Sequence, residues 1–142
     1  MPASGLLERN RLIFCHFDSY STALRFVRID DSVMLPAPLP EGAGMEAAPT
    51  EAGDTPTDVL LAVLEKFNIN PSQIELDNGF EAWLSTDTGP IQIHLARFTT
   101  FEAPHEAIAP HGGVFKPISE LRRLPMTELT LLRQVFDLVM GG

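Results

Sequence analysis

The sequence predicts an α+β fold, with a small, mostly antiparallel sheet of about five strands covered by two main helices. Three observations carry this. Several short runs alternate apolar and polar residues with the period of a strand, and two longer runs repeat apolar residues with the period of a helix. The chain has 142 residues, 44% of them hydrophobic and nine of them Phe, which suffices for the core of one ordinary domain without metal or disulfide staples. Residues 1–142 therefore read as a single domain, interrupted by a flexible Pro/Ala/Gly/Glu-rich excursion at 36–54.

Taken in order, residues 11–17 (RLIFCHF) and 23–29 (ALRFVRI) are β-prone runs split by Asp18-Ser19-Tyr20-Ser21, the pattern of a hairpin. Ile13, Phe14 and Cys15 break the alternation, as in a strand covered on both faces. Residues 36–54 offer little to bury and read as a long exposed loop. Thr55 then suits an N-cap, Pro56 the first helical position and Asp58 the acidic place of a capping box. Val59, Leu60, Val63, Leu64 and Phe67 follow at helical spacing, so a helix is expected over 56–67, closed by Asn68 and Asn70-Pro71. A short strand at 73–76 leads through Asp77-Asn78-Gly79 into the ribbon 80–86 and 91–99. Thr88-Gly89-Pro90 turns that ribbon, and the three strands read as a meander. Val114-Phe115 suits a brief strand. Helix 126–140 follows Pro125, with Leu129, Leu132, Val135, Phe136 and Val139 as its apolar stripe and Gly141-Gly142 as its stop. Both helices are expected on one face of the sheet.

The net charge of −9 and the lack of any Lys/Arg cluster larger than Arg122-Arg123 argue against nucleic-acid binding. No apolar run approaches the ~18 residues of a membrane span, and the N-terminus lacks the pattern of a secretory signal. Cys15 is alone, which fits a reducing compartment. A cytoplasmic protein without a membrane or nucleic-acid partner is the expectation.

Ligand-type residues concentrate after the ribbon. His94, Glu102, His105 and His111 are the candidate metal-ligating set, since imidazole and carboxylate suit Zn or non-haem Fe. Their spacing fits no helical site: Ala109 stands where a zinc-protease helix needs its second His, and Pro104 and Pro110 interrupt a Glu-x-x-His helix. His94, beside Gln92 on the polar face of its strand, could alternatively serve as a base. Cys15 and His16 are neighbours in a strand and so point to opposite faces, which precludes a dyad. Gly42-x-Gly44-x-x-Ala47 has the letters of a dinucleotide fingerprint without its strand and helix. Phe98, Phe101, Phe115 and Ile108 could line an apolar pocket or simply fill the core.

The tail GGVFKPISELRRLPMTELTLLRQVF resembles the last strand and helix of a Nudix hydrolase. That family holds its metal with a glutamate-rich box, and this sequence has none.

With no catalytic motif intact, no cofactor is expected. The leading expectation is a non-catalytic interaction or regulatory subunit that binds a protein partner or a second copy of itself. Its partner-binding surface would be the apolar width that Leu131, Leu138 and Met140 add to the last helix. The rivals are a small metal-dependent enzyme built on His94, Glu102, His105 and His111, and a carrier for an apolar ligand.

Overall fold

The computed structural model describes residues 5–46 and 53–141. Among the described residues, seven strands form one mixed sheet: β1 (Asn10–Asp18), β2 (Ala23–Ile29), β3 (Gly44–Glu46), β4 (Ile74–Leu76), β5 (Ala82–Thr86), β6 (Gly89–Phe98) and β7 (Gly113–Pro117). Their order is β3-β5-β6-β1-β2-β7, with β4 also paired to β6. The helices are α1 (Pro56–Phe67), a single turn α2 (His105–Ile108) and α3 (Met126–Met140). The α+β class is as expected, and the strand count and connectivity are richer. At the centre β1 and β6 run parallel, Leu12 opposite His94 and Phe14 opposite Ala96. The expected meander does not form, because β4 and β5 both pair with β6, at its two ends.

The helices lie on opposite faces of the sheet, not on one. Leu12 and Phe14 of β1, with Val27, Ala96, Phe98 and Phe115, pack against Val59, Val63, Leu64 and Phe67 of α1. Ile13 and Cys15, with Phe26, Ile91, Ile93 and Leu95, pack against Leu129, Leu131, Leu132 and Val135 of α3. Successive strand side chains point to opposite faces, so an uninterrupted apolar run is what a strand between two helices requires. Burial pushes the Cys15 thiol up to about 12, so it behaves as a small hydrophobe.

Local sequence explains the helix ends. Pro56 occupies the start of α1, but the Thr55 side chain makes no capping hydrogen bond, so the expected capping box is absent. Asn68 closes α1 in the left-handed region (φ 55°), where its N–H and that of Ile69 reach the carbonyls of Glu65 and Leu64. Within the stretch read as a long loop, β3 pairs with β5, and Ala37 and Pro38 accept hydrogen bonds from the buried Arg11 guanidinium. Residues 47–52 of that stretch lie outside the described residues.

Glu128, in the first turn of α3, is 2% exposed. Its carboxylate accepts from the Val33 N–H at 2.9 Å and the Ser32 hydroxyl at 3.0 Å, tying the segment after β2 to α3. Burial raises its pKa, against the lowering by these two bonds. Glu128→Ala strands the Val33 donor and opens a void, and should cost about 2–3 kcal/mol in urea unfolding at constant m-value. An unchanged midpoint would mean the carboxylate ties nothing.

A candidate catalytic cleft around His94

On the α1 face of the sheet, a polar network joins the end of the segment before α1 to strands β1, β5 and β6. Asn10 begins β1 and is 1% exposed; its Nδ2 donates to the Leu6 carbonyl at 2.9 Å and to Asp54 Oδ2 at 2.8 Å. With both amide hydrogens used, Asn10 Oδ1 can only accept, and His94 Nε2 lies 2.8 Å from it. His94 therefore carries its proton on Nε2, and Nδ1 keeps the lone pair. Desolvation lowers the His94 pKa, outweighing the charges of Glu81 and Asp54, so the ring is neutral at neutral pH. Asp54 is held ionised by Arg9, which grips it with two bonds at 3.1 and 3.2 Å, and by Asn10.

His94 and Gln92 line a cavity of 190 Å³ together with Pro56, Leu76, Asp77 and Glu81. Glu81 accepts from Gln92 Nε2 at 2.8 Å and from the Trp83 indole at 3.2 Å. Gln92 Oε1 is buried without a partner among the described residues. Gly53 passes so close to it that a Cβ would collide with Gln92 Oε1 and meet the Trp83 ring at 3.0 Å. A glycine thus lets the chain cross Gln92 and deliver Asp54 to Asn10. The cavity holds roughly six waters at the ~30 Å³ each occupies in the liquid, room for a reacting group and its water.

The candidate metal set is not gathered here. Glu102 and His105 are exposed, and His105 stacks edge-on to Phe115 with ring centroids 5.2 Å apart. His111 Nε2 donates to the Phe67 carbonyl at 2.7 Å, serving the end of α1. His94 sits in the separate network above. Among the described residues, no group of three or more His, Cys, Asp or Glu side chains is placed to hold a metal ion. The acids of α1 are Asp58 and Glu65, both exposed, so the donor set that the Nudix resemblance implies is not met there.

The partner-binding set divides. Leu131 is fully buried against the sheet, contrary to expectation, while Leu138 and Met140 are 37% and 38% exposed. No described helix is long and apolar enough to cross a membrane. Sequence reasoning had singled out His94 but missed Asn10 and Asp54. Asp54 fell in a stretch read as mobile, and Asn10 preceded the expected strand; the one available signal was Gly53-Asp54 directly before a helix start.

No family model matches the chain, and no curated protein matches it. Among solved structures it is similar to the crystal structure of C. elegans Ap4A hydrolase, at 13% identity and a TM-score of 0.54 over 92% of this chain and 96% of that one. At that identity the likeness concerns the fold. The expectation of a non-catalytic interaction or regulatory subunit is overturned, since the fold is shared nearly end to end with that of a hydrolase.

Proposed function

We propose that this chain is a small hydrolase acting on a nucleotide, with His94 as the general base of the cleft beside α1. The observation that carries the reading is the neutral, oriented imidazole: Asn10 fixes its proton on Nε2, which leaves Nδ1 to take a proton from water. The Arg9–Asp54–Asn10 chain holds the ring in place. The nucleotide substrate class comes from the likeness to Ap4A hydrolase and from the Nudix-like rhythm of the tail.

One observation favours a second reading, nucleotide binding without turnover: the absence of a metal-holding group among the described residues. A single experiment separates them. The purified chain is incubated with Ap4A and with ATP, with and without Mg²⁺, and products are resolved by ion-exchange chromatography. Turnover that disappears in His94→Gln supports the hydrolase. Saturable binding with no product supports the second reading. Neither binding nor product removes both.

A further inference from the structure

Four of the chain's eight arginines gather on the opposite face, beside α3. Arg28 lies on β2, where strand alternation places it with Leu24 and Phe26 on the α3 side. Arg122 and Arg123 come from the turn between β7 and α3, and all three line a 640 Å³ cleft with Ser119, Leu121 and Leu124. Arg122 and Ser119 also line an adjoining cleft of 560 Å³, whose walls include Arg133, Met126, Leu129 and Phe136. Met126 is 66% exposed and Phe136 38%, so this second compartment offers apolar surface to solvent.

Charge makes the grouping unusual. The chain carries −9 overall, yet none of these four guanidiniums makes an ion pair or side-chain hydrogen bond among the described residues. Arg28 Nε is buried without a hydrogen-bond partner among the described residues. Of the acids lining the clefts, Asp31, Glu120 and Asp137, Glu120 is engaged by Lys116 at 3.5 Å. Three guanidiniums without an ion pair among the described residues line one cleft, and an anion supplied from outside balances their charge.

We infer that the two compartments form one binding site for a small organic phosphate. Its phosphoryl group sits among Arg28, Arg122 and Arg123, and its apolar or aromatic body lies against Met126, Leu129 and Phe136. Guanidinium forks match the several acceptor oxygens of a phosphate, and three of them suit a dianion better than a carboxylate. The site is independent of the His94 cleft, from which the sheet separates it.

The test titrates the full chain with phenyl phosphate and with inorganic phosphate, following backbone amide shifts by NMR. Phenyl phosphate should bind saturably, shift amides of residues 118–136 and bind at least about ten-fold more tightly than inorganic phosphate, through the apolar compartment. Arg122→Gln, at an exposed position that leaves folding intact, should weaken both ligands about ten-fold or more, as should Arg28→Gln. Phe136→Ala should weaken phenyl phosphate alone, and His94→Gln neither. No saturable binding at 10-millimolar-order concentrations, unaltered binding in Arg122→Gln, or shifts confined to the His94 cleft would overturn the site.

Discussion

Leu131→Asp is expected to leave the chain unfolded, whereas Leu138→Asp should fold with a stability changed by less than about 1 kcal/mol. The two leucines are seven residues apart on α3, so a helical wheel puts them within ~20° of each other. Their environments differ completely. Leu131 is 0% exposed in the core formed with Ile13, Phe26 and Leu95. Leu138 is 37% exposed, and a neighbour within its reach is the turn at Gly79. An aspartate at 131 meets no polar partner, and burying it costs several kcal/mol whether it ionises or is forced neutral, a large share of a small domain's ~5–15 kcal/mol. Circular dichroism and urea unfolding of the two variants decide it. A folded Leu131→Asp protein would mean that α3 does not pack on the sheet as described.

That pair also shows what periodicity can and cannot say. Spacing located both long helices to the residue, 56–67 and 126–140, because the Pro starts and the Asn or Gly stops are local chemistry. It could not say how far along α3 the sheet extends beneath it, so Leu131 and Leu138 looked alike. Nor could it say which face each helix covers. The run Ile13-Phe14-Cys15 signalled a strand with two covered faces, but assigning one helix to each needs the parallel pairing of β1 with β6, some eighty residues apart. The candidate site was least legible. Its bonds join Asn10 to Asp54 and His94 across separations of 44 and 84 residues, and Asp54 belongs to a stretch whose composition says only that it buries little. His111 had the reverse fate: as a residue type it suggested a ligand, but its bond to the Phe67 carbonyl gives it a structural task.

His94→Gln is expected to lower turnover of the nucleotide by about 10²–10⁴-fold, the usual worth of a general base, while the protein stays folded. Glutamine retains an N–H to give Asn10 Oδ1 but has no lone pair of comparable basicity. The pH profile carries the sharper prediction. A base works in its neutral form, and burial holds the His94 pKa below the ordinary imidazole value of about 6.5. The acid limb of kcat/KM should therefore fall below the usual imidazole range, with activity flat above it. The same shift acts on stability. Because the folded pKa is lowered, the folded state prefers the uncharged ring, so this contribution is intact above the unfolded value near 6.5. It is then lost as pH falls towards the folded pKa, at up to about 1.4 kcal/mol per pH unit. In His94→Gln that loss should vanish over this window, while the loss tied to the lowered Asp54 pKa persists at lower pH. A purely structural histidine would change the stability curve and leave the rate profile alone. A base moves both, and the acid limb in the rate profile and the acid-side loss of stability then report the one pKa that burial lowers.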